Sequence, residues 1–329
     1  MHDATTLLPM STITARGLTK AFTTKTGLVE AVKAIDLDIA AGEVVGLLGP
    51  NGAGKTTTLR MLTTVLTPTS GTATVAGADL LKDSREVRRR IGYVAQIGSA
   101  PSPGTRLAEE LVSQARLQGM SKAAASERLD VLLPKLDLVQ LAGRALSELS
   151  GGQRRRFDVA LGLMHDPQVV FLDEPTSGLD PQSRANLWDH IRSLREDLGV
   201  TVLLTTHYLD EADALADRLL VMDHGVIVAN DTSENLKAQV SGDVITIELT
   251  GAAERAESAI RTAIAVRSLT VDGNRVHVTV ERGDTAIAPV LRALDANGFP
   301  LQSISVTRPT LDDVFLNLTG RSLREDEVA

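Results

Sequence analysis

A glycine-rich segment at residues 49–57, GPNGAGKTT, has the residue types and spacing of a phosphate-binding loop. Gly49, Gly54, Lys55 and Thr56 satisfy the pattern G-x-x-x-x-G-K-[ST]. Glycines let backbone N–H groups approach a phosphate, lysine adds positive charge, and a threonine hydroxyl is a hard ligand for Mg²⁺. We therefore predict that a nucleoside triphosphate is held by Gly49, Pro50, Asn51, Gly52, Ala53, Gly54, Lys55, Thr56 and Thr57. The alternative is a glycine-rich turn that only packs a helix on a sheet, which the flanking pattern disfavours.

Three further polar groups follow apolar runs that are typical of buried strands. Asp173 and Glu174 come directly after VVFL, and His207 follows an apolar run at residues 200–205. An aspartate in this position suits the Mg²⁺ partner of a phosphate-binding loop, and Glu174 is placed to polarise a water molecule. The alternatives are a solvated pair of strand-end acids and a structural histidine.

A second candidate for anion binding is the run LSGG before a helical pattern. Ser150, Gly151 and Gly152 provide a hydroxyl and exposed N–H groups at the positive end of a helix dipole. A plain N-cap explains the same residues, so both interpretations stay open at this point.

The elements that position these groups can be read from the periodicity. Val44–Leu48 is an apolar, β-branched run that predicts a buried parallel strand before the loop. Strands are also predicted at residues 11–22, 31–39, 72–76 and 91–95, with a polar hairpin loop at 23–30. Two helical patterns at 107–118 and 121–136 indicate a helical insertion. Phe22 is either an aromatic platform for adenine or a hydrophobic strand end.

The C-terminal third has no nucleotide motif and a different pattern. Its predicted order is β-α-β-β-α-β, with a hairpin around residues 272–274, which suggests a small α+β ferredoxin-like domain. A T-x-x-D capping box at Thr310 and Asp313 begins one more helix. We predict a tail at 1–11, a nucleotide-binding domain at 12–238, this small domain at 239–320, and a disordered charged tail at 321–329.

Composition limits the class of protein. The chain has 329 residues, 43% hydrophobic residues, 2% aromatic residues, no cysteine and a formal net charge of −8. The charge disfavours general attraction to nucleic acid, and the lack of cysteine suits a reducing cytosol. No apolar run reaches the ~18–20 residues of a membrane span, and the N-terminus is too weakly apolar for a signal peptide. We expect a cytoplasmic protein whose membrane role, if any, comes through a partner.

Taken together, the motifs resemble the full set of the ATP-binding cassette (ABC) ATPases. The segments that carry this resemblance, in order, are GPNGAGKTT, Gln96 after a strand, LSGGQ, VVFLDE, SGLD and His207. The resemblance implies a P-loop α/β fold with a mixed sheet and a helical subdomain, binding ATP and Mg²⁺. Its implied catalytic residues are Glu174 as base, His207, Gln96 and Lys55. Its implied metal ligands are Thr56, Gln96 and Asp173, and Phe22 and Val32 are the positions implied to contact adenine.

The resemblance also implies partners. In this family the loop of Ser150, Gly151 and Gly152 closes over ATP held by the opposite subunit, with Asp180 helping, so a head-to-tail homodimer is expected. Arg154–Arg156 are predicted to flank that interface or to lie on a solvated face. The C-terminal part resembles exporter ATPases typified by daunorubicin/doxorubicin resistance ATP-binding proteins, which implies an integral membrane permease subunit, attachment to the cytoplasmic membrane face, and efflux of a drug-like or lipid-like compound. The competing interpretations are a soluble ABC protein acting on ribosomes or nucleic acid, and a regulatory binding module.

Overall fold

The computed structural model describes residues 11–25, 27–96, 104–240, 242–250 and 256–319. These residues form two compact units, and the boundary along the chain lies between Asn230 and Asp231. The predicted terminal tails lie outside the described residues, apart from Ser11, which begins the first strand.

The first unit is built around a six-stranded sheet. Its strands are β3 (Val44–Leu48), β6 (Ile91–Val94), β7 (Val169–Asp173), β8 (Thr201–Thr206), β9 (Arg218–Asp223) and β10 (Val226–Asp231), in the order β10-β9-β3-β8-β7-β6. The pairs β3–β8, β3–β9, β6–β7 and β7–β8 are parallel. Strands β3, β7 and β8 are buried along their whole length, as the continuous apolar runs predict. The carboxyl ends of these parallel strands therefore share one edge.

A four-stranded antiparallel sheet packs beside this one. It contains β1 (Ser11–Thr24), β2 (Gly27–Ala40), β4 (Ser70–Val75) and β5 (Ala78–Asp79), in the order β2-β1-β4-β5. The polar loop predicted at residues 23–30 is wrong, because β1 and β2 pair as far as Thr24 and Gly27. Exposed strand ends tolerate polar residues, so polarity alone did not mark the turn.

Helices cover the first unit. They are α1 (Lys55–Leu62), α2 (Ser84–Arg90), α3 (Leu107–Leu117), α4 (Lys122–Lys135), α5 (Gly151–Leu163), α6 (Pro181–Leu198) and α7 (Leu209–Leu215), with short 3₁₀ turns at Val139–Leu141 and Leu146–Glu148. The two-helix insertion between parallel strands is confirmed as α3 and α4.

Two apolar cores flank the six-stranded sheet, because alternate strand residues point to opposite faces. Val170, Leu172 and Leu204 pack with helices α3–α6. Phe171 and Leu203, on the other face, pack with α1 and the antiparallel sheet. The phosphate-binding loop and the ends of β7 and β8 are thus held between two well-packed layers.

The second unit contains α8 (Ser233–Val240), β11 (Asp243–Leu249), α9 (Ala256–Ala263), β12 (Ser268–Asp272), β13 (Arg275–Val280), α10 (Gly283–Ala296), β14 (Leu301–Thr307) and α11 (Leu311–Thr319). The sheet order β12-β13-β11-β14, with α9 and α10 packed on one apolar core, is the ferredoxin-like arrangement that was predicted. Helix α8 packs against α11, so the unit begins eight residues before the predicted domain boundary. Among the described residues, no helix has the length and apolar character needed to cross a membrane.

Candidate nucleotide-binding and hydrolysis site

The phosphate-binding loop lies between the buried strand β3 and helix α1. Gly52 has φ +80° and Gly54 has φ +107°, so both need glycine for their backbone conformation. Gly49 differs from Gly52 and Gly54, because its φ is not positive. A Cβ on Gly49 would lie 2.2 Å from the carbonyl oxygen of Met222, so glycine is required there for close packing against β9.

Lys55, the first residue of α1, is 4% exposed and its amino group lies over the loop. Nζ donates to the carbonyl oxygens of Gly49 (2.5 Å) and Pro50 (2.9 Å) and lies 4.0 Å from Oε1 of Glu174. Burial lowers the pKa of Lys55, while the carboxylates of Glu174 and Asp173 oppose that shift. The site thus places a buried amino group beside the carboxylates and within the loop.

Two hard oxygen atoms meet beside Lys55. The Thr56 hydroxyl donates to Oδ1 of Asp173 over 2.9 Å, and the same Oδ1 accepts from Thr205 over 2.7 Å. Asp173 is fully buried at the end of β7, with the Tyr93 hydroxyl 3.4 Å from its Oδ2. Neighbouring oxygens in an octahedral Mg²⁺ shell are about 3 Å apart, so the Thr56 and Asp173 oxygens fit such an ion.

Glu174 lies at the centre of the site and is 7% exposed. Its Oε2 accepts a 2.7 Å hydrogen bond from the Gln96 side-chain amide. Nδ1 of His207 lies 3.4 Å from Oε1, an ion-pair distance without hydrogen-bond geometry. His207, and further Lys55 and Gln96, hold the pKa of Glu174 below its ordinary value, against the opposing effect of burial. Glu174 is therefore ionised at neutral pH and can accept a proton.

The backbone of Glu174 is unusual, because its φ is +45°. This left-handed conformation costs a non-glycine residue roughly 1 kcal/mol or more and persists only where neighbours hold it. The N–H of Glu174 donates to the carbonyl oxygen (3.2 Å) and to the hydroxyl (3.0 Å) of Thr205. The strain identifies a turn that the surrounding structure keeps in place.

Ser150 and Asp180 are both exposed N-caps. Ser150 Oγ accepts from the N–H of Gln153 and the Gln153 amide accepts from the Ser150 N–H, which forms a capping box on α5. Asp180 accepts from the N–H and hydroxyl of Ser183 on α6, and these bonds lower its pKa. A Cβ on Gly152 would meet Ser183 at 2.8 Å, so the SGG loop packs against the start of α6 in the same chain. None of the contacts described for Ser150, Gly151 and Gly152 is with the phosphate-binding loop of this chain.

The two residues expected near adenine differ in exposure. Phe22 is 38% exposed on β1, with the Lys20 amino group 5.2 Å from the ring centroid. Val32 is 1% exposed and packs in the core, 3.4 Å from a Cβ placed on Gly54. Phe22 therefore keeps part of its side chain exposed, whereas Val32 is buried against the phosphate-binding loop.

Three residues of this site were not predicted from the sequence: Tyr93, Thr205 and Arg155. Thr205 pairs with Asp173 in the parallel register of β7 and β8, which strand alignment would have suggested. Arg155, expected at an interface or on a solvated face, is 7% exposed. It lies four residues before the buried Val159 on α5, so the helical period did place it on the buried face.

Comparisons with known proteins agree with this arrangement. The family model described as "ABC transporter" matches residues 32–177, and that described as "ATP-binding protein DrrA1-3-like, C-terminal domain" matches residues 232–319. The daunorubicin resistance ATP-binding protein DrrA3 of Streptomyces coeruleorubidus is 42% identical over 96% of this chain and 98% of its own length. The daunorubicin/doxorubicin resistance ATP-binding protein DrrA of Streptomyces peucetius is 42% identical over 95% and 93%.

Among solved structures, the dimeric post-hydrolysis state of the ATP-binding cassette MJ0796 bound to ADP and Pi has a TM-score of 0.60 and 26% identity. The alignment covers 67% of this chain and 98% of the MJ0796 chain. The cassette motifs, the ferredoxin-like second unit and these similarities all agree. The chain therefore belongs to the ATP-binding proteins of ABC transporters with a DrrA-like C-terminal domain, and it is an ATPase.

Proposed function

We propose that this chain is the ATP-hydrolysing subunit of an exporter, which couples ATP-driven dimerisation and hydrolysis to efflux through a separate membrane subunit. The observation that supports it most directly is the buried, ionised carboxylate of Glu174 one residue beyond Asp173. It stands within 4.0 Å of Lys55 and hydrogen-bonded to Gln96. A site with this base is suited to turnover rather than to regulatory binding alone.

In the proposed reaction each residue has one task. The N–H groups and Lys55 of the loop bind the β- and γ-phosphates, and Lys55 offsets charge that develops on them. Glu174 accepts the proton of the attacking water, which Gln96 orients, and His207 contacts the γ-phosphate. Thr56 and Asp173 would hold Mg²⁺, with Gln96 beside it, and the ion supplies charge neutralisation of the phosphate oxygens.

We infer that two copies of the chain form the complete site. Ser150 is exposed at the N-terminus of α5, where N–H groups and the helix dipole favour an anion, and Asp180 is the exposed N-cap of α6. Ser150, Gly151 and Gly152 of one copy would close over ATP held by the other, so that ATP joins the two subunits and hydrolysis releases them.

The membrane partner is proposed to dock in a groove of about 300 Å³ beside β6. Its walls come from the ends of α1, α2, α3 and α5, and include Val65, Arg88, Tyr93, Gln114, Leu161 and His165. Val65 is 61% exposed and supplies an apolar rim. Tyr93 lines the groove and also reaches Asp173, so a helical segment of the membrane subunit seated there would touch a residue of the catalytic site.

The cargo proposed is a hydrophobic drug-like or lipid-like compound, on the similarity to drug-resistance ATP-binding proteins over nearly the whole chain. Attachment to the membrane subunit would place the chain on the cytoplasmic face of the membrane. The alternative, an ABC ATPase acting on ribosomes or nucleic acid, is less favoured because the net charge is −8.

The test is purification of the tagged chain from gently solubilised native membranes, with identification of the proteins that accompany it. We expect a polytopic membrane protein, and we expect Val65→Asp to release it because a charge would be buried at the groove rim. Val131→Asp is the matched control, since Val131 is 41% exposed on α4 away from the groove. Recovery of ribosomal or nucleic-acid partners from the soluble fraction would support the alternative instead.

A further inference from the structure

Arg155 joins the helix that begins at the SGG loop to the backbone around Glu174. Its guanidinium donates to four carbonyl oxygens: Pro175 (2.6 Å), Ala95 (2.7 Å), Asp173 (3.1 Å) and Glu174 (3.2 Å). Arginine stays protonated and has five donors in a planar fork, so a buried arginine can serve several acceptors at once. All four acceptors belong to segments that carry proposed catalytic residues.

The positions of these carbonyls determine the conformation of Glu174. Arg155 holds the carbonyl oxygens of Asp173 and Glu174, while Thr205 holds the N–H of Glu174. The peptide planes before and after the Glu174 Cα are therefore both fixed, which sets its φ of +45° and the direction of its side chain. The Glu174 carbonyl oxygen also accepts from the N–H of Ser177 over 3.2 Å, within the turn that follows β7. Arg155 is the side chain that holds both the Asp173 and the Glu174 carbonyl oxygens, and it joins them to α5.

The same side chain also reaches the glutamine that contacts Glu174. Ala95, one of the four acceptors, directly precedes Gln96, whose amide donates to Glu174 Oε2. Arg155 lies four residues into α5, about 6 Å along the helix axis from its first residue. A single guanidinium thus connects the start of α5, the Gln96 segment and the turn at Glu174.

We propose that Arg155 is a positioning residue for hydrolysis: it holds the Glu174 carboxylate and the Gln96 amide in register with α5. This inference rests on the proposed role of Glu174 as the base. It goes beyond that role because Arg155 reaches the reaction only through backbone carbonyls. Without Arg155 the left-handed turn keeps only the hydrogen bonds to Thr205 and Ser177, so we expect it to relax and to move the carboxylate away from the water it activates.

The expected effect of Arg155→Met is a fall in kcat of about 10²-fold, the usual cost of about 1 Å of misplacement at a reacting group. The KM and the equilibrium Kd for ATP should stay within about threefold, because the phosphate-binding loop is not bonded to Arg155. Arg155→Lys should fall between, since an ammonium has three donors and no planar fork. Arg128→Met is the matched control. Arg128 is also largely buried and donates to a carbonyl, that of Leu163, away from Glu174, so wild-type kcat is expected.

The decisive readout is a double-substitution cycle with Glu174→Gln, followed by single-turnover ATP hydrolysis. If Arg155 acts through Glu174, Arg155→Met lowers the rate at least tenfold less in the Glu174→Gln background than in the wild-type chain. Equal losses in both backgrounds, or a wild-type kcat in Arg155→Met, would overturn the inference. If Arg155→Met shows no cooperative melting transition, Arg155→Lys is put through the same cycle with the same criteria. Wild-type turnover by Glu174→Gln would instead refute the role of Glu174 as the base. That result would count against the proposed function and not against the Arg155 inference by itself.

Discussion

Replacing Glu174 with glutamine removes one negative charge and almost no volume. The glutamine oxygen can still accept from the Gln96 amide, 2.7 Å away in the native site. The other carboxylate oxygen of the native residue, Oε1, lies 3.4 Å from Nδ1 of His207 and 4.0 Å from the Lys55 amino group. The substitution therefore keeps the packing of this buried site and removes the proton acceptor.

The magnitude follows from two opposed effects. Loss of a general base lowers the rate by about 10²–10⁴, or roughly 3–5 kcal/mol of barrier. Binding should change in the other direction, because the carboxylate that is removed repels the triphosphate. Two unit charges at 4 Å interact by up to about 4 kcal/mol at a protein-surface dielectric. We expect ATP to bind as tightly as in the wild type or more tightly, and the ATP-bound dimer to accumulate.

The assay compares steady-state phosphate release, equilibrium ATP binding and the mass of the protein in solution with ATP. Glu196→Gln, an exposed glutamate on α6, controls for handling and for the loss of one charge. Turnover by Glu174→Gln within about tenfold of the wild type would refute the reasoning. Loss of ATP affinity would show that the carboxylate instead maintains the loop.

Two further predictions concern Lys55 and Glu211. Lys55→Ala should weaken ATP binding about 10–100-fold, since a hydrogen bond to a charged group contributes about 1.5–3 kcal/mol, and wild-type affinity in a titration would contradict the phosphate-binding assignment. Glu211 is fully buried, accepts from the Trp188 indole over 3.1 Å, and has a pKa raised by burial above its ordinary 4.5. A raised folded-state pKa means that stability falls as the pH rises from about 4.5 through the folded-state value. Glu211→Gln should lose this dependence and melt at a higher temperature than the wild type at pH 8, and an unchanged Tm profile between pH 5 and 8 would show that the carboxyl is not neutralised in this way.

Local signals in the chain were sufficient for the cassette. The loop sequence, the apolar run before it and the helix after it lie within about 20 residues, so their relation depends on spacing alone. The same holds for Asp173 and Glu174 at the end of VVFL, and for the β-α-β-β-α-β order of the second unit. These features need only periodicity and turn chemistry.

Contacts between distant segments could not be predicted in this way. Glycine is required at position 49 because a carbonyl oxygen on β9 lies too close for a Cβ. The length of the β1–β2 hairpin is set by backbone pairing between exposed strand ends. Arg155 lies 60 residues from Ala95 and about 20 from Glu174, in a run of three arginines that polarity alone assigns to solvent. No glycine marks the left-handed turn at Glu174 in the sequence, because its conformation is held by the side chains of Arg155 on α5 and Thr205 on β8. The sequence by itself therefore determined which chemistry this protein performs, and only the tertiary structure decided which side chains hold that chemistry in place, since burial and hydrogen bonding depend on neighbours that the linear chain does not reveal.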